Sequence, residues 1–138
     1  MIILENIHKT FSSIPALTNI HLKITSGKTT VLIGPSGCGK STLLRIIVGL
    51  IPYDSGKVFI DGEDTSLQDI LLIRHKMGYV IQEGGLFPHL TARQNISLLA
   101  KYLGWNPSRI EQRISTLTEL SKFPSEALDR FPVQLSGG

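Results

Sequence analysis

The stretch that decides the fold is Gly34-Pro35-Ser36-Gly37-Cys38-Gly39-Lys40-Ser41, which fits the pattern G-x-x-x-x-G-K-[ST] of phosphate-binding loops. The apolar, β-branched run 29–33 precedes it and predicts a strand, while the run 41–48 that follows it predicts a helix. A glycine-rich turn before an ordinary core helix is the alternative, and the agreement between the motif and its flanks disfavours it. We therefore predict that the chain binds a nucleoside triphosphate.

The residue types of this loop suit phosphate chemistry. Glycines permit backbone conformations that a Cβ would block, so that successive N–H groups can turn inward toward an anion: Gly34, Gly37 and Gly39. The following helix adds free N–H groups and the positive end of its dipole. Lys40 can reach the β- and γ-phosphates, Ser41 can offer a hydroxyl to Mg²⁺, and Thr42 can add a hydroxyl near the α-phosphate.

Two further segments carry weaker signals. The segment 77–91 contains Gln82 at the end of a predicted buried strand, 78–81, where a side chain of an α/β protein points into the ligand crevice. The chain finishes with Leu135-Ser136-Gly137-Gly138. Taken alone, Gln82 is interpreted as a polar loop residue and the last four residues as a loop.

In this order, however, the three segments resemble the P-loop, the Q-loop and the start of the signature motif of ATP-binding cassette (ABC) proteins, and the resemblance covers nearly the whole chain. It implies an α/β fold: a P-loop NTPase core with an N-terminal antiparallel β subdomain over residues 1–90, and a partial helical subdomain over residues 91–138. It also implies ATP and Mg²⁺ as cofactors, with Lys40 and Gln82 in catalysis and with Ser41 and Gln82 near the metal. The implied ATP-binding residues are Phe11, Gly34, Pro35, Ser36, Gly37, Cys38, Gly39, Lys40, Ser41, Thr42, Ser136, Gly137 and Gly138.

Two of these residues have an alternative interpretation. The resemblance implies that Phe11 stacks on adenine, but Phe11 also suits the core of an N-terminal strand. Cys38 is the single cysteine, so an intrachain disulfide is excluded. Its thiol is either a reactive group within the loop or a small filler.

The segments 85–91 and 130–134 resemble those of bacterial importers, and 78–91 is most similar to osmoprotectant (glycine betaine or choline) uptake ATPases. The resemblance implies transmembrane permease subunits, a second ATP-binding subunit arranged head to tail and, indirectly, a substrate-binding protein, with the chain cytoplasmic on the inner face of the cell membrane. A non-transport ABC ATPase and a binding-only inert fragment are the alternatives. The short spacing between Gln82 and Leu135 disfavours the first of them, because it leaves no room for a coiled-coil insertion.

The 138 residues contain neither the Walker B carboxylates nor the switch histidine that the resemblance implies, since every histidine precedes the signature. Glu83 is interpreted as a solvated loop residue rather than a substitute base. We expect weak ATP binding with little turnover by this chain. We also expect unpaired apolar edges on the strands 29–33 and 78–81, leading to an oligomer or to a poorly packed core.

Composition places the chain among soluble, intracellular, globular proteins, with 41% hydrophobic and 18% charged residues. The net charge of +3 is too small and too scattered to indicate nucleic-acid binding. No targeting segment or membrane-spanning run is visible. The patterns predict strands at 2–7, 20–24 and 57–61, helices at 41–48, 67–75, 91–103 and 107–120, and a helical turn at 125–130.

Overall fold

The computed structural model describes residues 1–82 and 84–135, and the chain forms two compact units, Met1–Tyr79 and Val80–Gly138. The domain boundary that the sequence indicates after residue 90 stays a prediction. None of the helices in the described ranges combines the length and apolar character needed to cross a membrane.

The first unit is built on an antiparallel sheet. Its strands are β1 (Ile2–Phe11), β2 (Ile14–Ile24), β3 (Ser55–Ile60) and β4 (Glu63–Asp64), in the spatial order β2-β1-β3-β4. A 3₁₀ turn, Thr65–Leu67, follows β4. The predicted antiparallel subdomain is thus confirmed, and β1 and β2 are longer than their patterns indicated.

Irregular positions explain the extra length of these strands. Asn6 and Asn19 adopt left-handed conformations, each with φ of 52°, and the pairing of β1 with β2 shifts between Leu4 and Ile7. Asparagine tolerates this region better than most residues, so the strands bend there and continue. Across the bulge, a Cβ on Gly56 would lie 2.5 Å from the carbonyl oxygen of Asn6, and only glycine fits that approach.

Helix α1 (Lys40–Ile47) covers this sheet and fills its core, confirming the predicted helix. The buried cluster that α1 completes consists of Leu4, Ile7, Leu17, Leu43, Ile46, Ile47 and Val58. A short helix α2 (Ile70–Arg74) follows the sheet, and Asp69 caps it. Arg74 donates from Nε to the Val48 carbonyl oxygen at 3.3 Å and from Nη2 to that of Gly49, which satisfies acceptors at the end of α1.

The second unit contains α3 (Ala92–Tyr102) and α4 (Pro107–Ser121), followed by 3₁₀ turns at Ser125–Ala127 and Pro132–Gln134. The predicted N-cap of α3 is confirmed, because Thr91 forms a capping box with Gln94. Pro107 occupies the first turn of α4 as predicted, after an Asn106 cap. A small core of Ile110, Ile114 and Leu128 joins α4 to the segment beyond it.

Two strand predictions are wrong. The runs 29–33 and 78–81 form no strand in the described residues, and neither is buried: Val31 is 72% exposed, Ile33 92% and Val80 94%. A β-strand is stabilised by hydrogen bonds and packing with neighbouring strands, and neither run is paired with another strand within the described ranges. An apolar, β-branched composition alone is therefore not enough to form a strand. The predicted unpaired strand edges are therefore not observed, while the oligomer expected from them stays a prediction.

Candidate functional site: the phosphate-binding loop

The loop between β2 and α1 has the backbone that its glycines predict. Gly37 and Gly39 have φ of 80° and 93°, conformations that residues with a Cβ rarely adopt. The amide of Cys38 donates to the Pro35 carbonyl oxygen at 3.4 Å, closing the turn. The loop therefore curls back on itself directly before the first turn of α1.

Gly39 fixes the loop against the sheet. A Cβ at this position would lie 2.7 Å from both the carbonyl oxygen of Ala16 and the Cδ2 of Leu17 on β2. Gly39 is also the N-cap of α1, and its carbonyl oxygen accepts from the Leu43 amide at 2.9 Å. One glycine thus serves the turn, the helix start and the close approach to β2.

Lys40 folds its side chain back over the loop. Its Nζ donates to the carbonyl oxygens of Gly34 at 2.8 Å and Pro35 at 2.7 Å, and lies 3.4 Å from the Cys38 Sγ. The ammonium is therefore held over the segment 34–38, where an anion seated in the loop would meet it. The same contact places the exposed Cys38 thiol beside the Lys40 ammonium within the loop.

The start of α1 is left open for an anion. Gly39 supplies no side-chain cap and no acidic residue lies in the first turn, so neither a hydroxyl nor a carboxylate competes for its N–H groups. The exposed Ser41 and the half-buried Thr42 lie in this turn. This combination of free donors, a lysine and two hydroxyls fits a triphosphate.

Phe11 lies at the end of β1 and pairs with Ile14 across the turn formed by Ser12 and Ser13, both of which have positive φ. Its ring is 46% exposed, which rules out the alternative that it is a core residue. The Lys9 Nζ lies 5.3 Å from the ring centroid. The β1–β2 hairpin that carries Phe11 is also the one that touches Gly39, so ring and loop belong to one unit.

The sequence did not single out Lys9 and Asp54, which support Phe11. Lys9 Nζ lies 2.9 Å from the Asp54 Oδ1, and the Thr10 amide donates to Oδ2 at 2.6 Å. The hydrogen bond from Lys9, followed by that from Thr10, lowers the pKa of Asp54 below its ordinary value. Residues two apart in a strand share a face, so the spacing of Lys9 and Phe11 could have indicated their contact.

Gln82 is exposed and lies in a bend of the second unit rather than at a strand end. Ser136, Gly137 and Gly138 lie outside the described residues. Within the described residues, no group of three or more histidine, cysteine or carboxylate side chains could hold a metal ion. The predicted pairing of Ser41 with Gln82 at Mg²⁺ therefore stays a prediction.

Comparison with known proteins agrees with this geometry. The ABC transporter family model matches residues 17–138. The chain belongs to the ABC transporter family. It is 47% identical, over its whole length, to "Choline transport ATP-binding protein OpuBA" of Bacillus subtilis, and 40% identical to "Osmoprotectant import ATP-binding protein OsmV" of Salmonella typhimurium. It spans 36% and 38% of those two relatives.

Solved structures show the same fold. The dimeric structure of MJ0796, described as a bacterial ABC transporter cassette, matches 99% of this chain with a TM-score of 0.90 at 34% identity. A dimeric post-hydrolysis state of MJ0796 bound to ADP and Pi matches 99% with a TM-score of 0.88 at 33% identity. The chain covers 64% and 63% of those structures. The α/β cassette fold that the resemblance implied is thereby confirmed.

Proposed function

We propose that this chain binds ATP with Mg²⁺ through the loop 34–41 and belongs to the ATP-binding subunit of an ABC importer. The observation that supports it most directly is the loop geometry: two left-handed glycines, a lysine folded over the loop and an uncapped helix start. The names of OpuBA and OsmV support an osmoprotectant such as choline as the transported solute.

Each residue of the loop has a defined task in this proposal. Lys40 exchanges the carbonyl oxygens of Gly34 and Pro35 for oxygens of the β- and γ-phosphates, and the amides of Gly37 and of 39–42 donate to the same phosphates. Ser41 offers one hydroxyl to Mg²⁺, which accepts few protein ligands and keeps its waters and phosphate oxygens. Phe11 offers the ring face away from Lys9 to adenine.

The remaining assignments concern partners. Gln82 would contact Mg²⁺ and the attacking water, and Ser136, Gly137 and Gly138 would bind the nucleotide held by a second copy arranged head to tail. The partners are permease subunits on the cytoplasmic face of the membrane and, through them, a substrate-binding protein. We propose little turnover by these 138 residues alone, because no carboxylate lies in the loop or in the first turn of α1 to orient a water.

The test is isothermal titration of the 138-residue chain with Mg-ATP, comparing Lys40→Ala with Lys28→Ala. Lys28 is an exposed lysine of the same unit that lies outside the loop. We expect Lys40→Ala to weaken binding at least about tenfold, as loss of charge-assisted hydrogen bonds does, and Lys28→Ala to leave it unchanged. Equal affinity in all three proteins would contradict the proposal.

A further inference from the structure

The first turn of α3 forms hydrogen bonds with two segments, the loop 87–91 that precedes it and the segment 128–130 that follows α4. The first N–H groups of a helix have no partner within the helix. Here the amide of Ala92 donates to the Arg130 carbonyl oxygen at 2.9 Å, and that of Arg93 donates to the Leu128 carbonyl oxygen at 2.8 Å. The segment 128–130, which leads toward the signature residues, therefore caps this helix.

The Arg93 side chain strengthens the same connection. Its Nε donates to the Asp129 Oδ1 at 3.3 Å, and its Nη1 donates to the Glu111 carboxylate on α4. The hydrogen bond with Asp129 is the main reason why the pKa of Arg93 is raised. One guanidinium thus connects α3, α4 and the segment 128–130.

Asn95 makes the connection on the other side. Its Oδ1 accepts from the Phe87 amide at 2.8 Å. Its Nδ2 lies 3.1 Å from the Phe87 carbonyl oxygen and 3.0 Å from those of Leu90 and Thr91. This side chain therefore determines the path of the loop 87–91, which follows Gln82 in the chain, while the Phe87 ring stays 48% exposed.

We propose that Arg93 and Asn95 are positioning residues that join the loop 87–91 and the segment 128–130 into one body through the first turn of α3. A displacement of the loop is then passed to the segment that leads to Ser136, Gly137 and Gly138. Hydrogen-bond networks anchored on a rigid helix carry such coupling. This inference rests on the proposed function, in which those three residues contact nucleotide held by a second copy.

Hydrogen exchange of the 138-residue chain, followed by NMR, tests the connection. Asn95→Asp keeps the acceptor for the Phe87 amide but replaces the donor with a negative oxygen facing three carbonyls. Asn106→Asp is the matched control, because Asn106 accepts from the Arg109 amide through Oδ1 and a carboxylate at this N-cap does the same. We expect Asn95→Asp to speed exchange about tenfold at Leu90 and also at Ala92 and Arg93, and Asn106→Asp to change none of them.

The reverse experiment starts from the other side. Arg93→Gln should speed exchange at Ala92 and Arg93 and also at Leu90, whose amide donates to the Phe87 carbonyl oxygen at 3.1 Å. Arg93→Lys keeps the charge and should restore part of the protection, which a loss of folding would not show. Variants that each affect only their own side would overturn the inference.

A functional measurement separates this inference from the proposed function. Sedimentation velocity with saturating Mg-ATP should show self-association that Arg93→Gln weakens about tenfold, while Mg-ATP affinity at the Lys40 site stays unchanged. A parallel loss of Mg-ATP affinity would overturn the positioning role in favour of general destabilisation. If the wild-type chain binds no Mg-ATP, the proposed function fails, and the exchange experiment alone decides whether the two segments form one body.

Discussion

Two of the three segments that the sequence assigned to ATP chemistry, the loop 34–41 and the segment around Gln82, differ in how they are held. The loop 34–39 follows a predicted strand that does not form, with Ile33 92% exposed, but its C-terminal end is fixed by Gly39 against β2 and by α1 in the core of the sheet. The segment that carries Gln82 follows a predicted strand that does not form, and Val80 beside it is 94% exposed. The difference teaches that a glycine loop is encoded by its own residues and by one close approach, whereas a strand depends on its neighbours.

The largest effect is expected at Gly39. Gly39→Ala forces a side chain into a left-handed conformation, which costs about 1 kcal/mol, and against Ala16 and Leu17, where overpacking costs about 2 kcal/mol more. Urea unfolding should show a loss of about 3 kcal/mol, together with loss of Mg-ATP binding. Gly27→Ala is the control, since Gly27 has φ of 72° but open space around it. An equal loss in both variants would show that the approach to β2 does not matter.

A pair of identical substitutions compares the two regions directly. Val58 in β3 is 1% exposed, so Val58→Ala should lower the free energy of unfolding by about 2 kcal/mol through lost burial and the cavity that remains. Val80→Ala should change it by less than about 0.5 kcal/mol, because nothing covers that side chain in the described residues. A large loss for Val80→Ala, measured by urea unfolding, would mean that the run 78–81 is packed as a strand after all.

The smallest effect concerns pH and the support of Phe11. Because the folded-state pKa of Asp54 is lowered by Lys9 and Thr10, the unfolded chain binds more protons, and the contribution to stability is present at neutral pH. It should disappear as the pH falls below about 4, through the folded-state pKa. Thermal melts of the wild type and Asp54→Asn should therefore differ at pH 7 and draw together as the pH falls below about 4. A constant difference over that range would remove Asp54 from this account.

Whether a feature could be predicted from the sequence depends on how far apart in the sequence the interacting residues lie. Local signals succeeded: those for the turn glycines before α1, for the Thr91 cap and for Pro107 at the start of α4 each act within a few residues. Strand signals depend on distant partners, and two of the five predicted strands failed: the runs 29–33 and 78–81 have no paired neighbour in the part of the chain that the structure describes. The contacts of Arg93 and Asn95 were also missed, since nothing local indicates that one helical turn meets both 87–91 and 128–130.

An NMR titration of the 138-residue chain with Mg-ATP tests the central claim most directly. The loop is already shaped for phosphate, so the amides of Gly37, Gly39, Lys40 and Ser41 should shift together and saturate at one affinity. The amides of 78–82 should change less. Saturable shifts confined to the second unit, or none at the loop, would contradict the claim that the loop 34–41 is the nucleotide site.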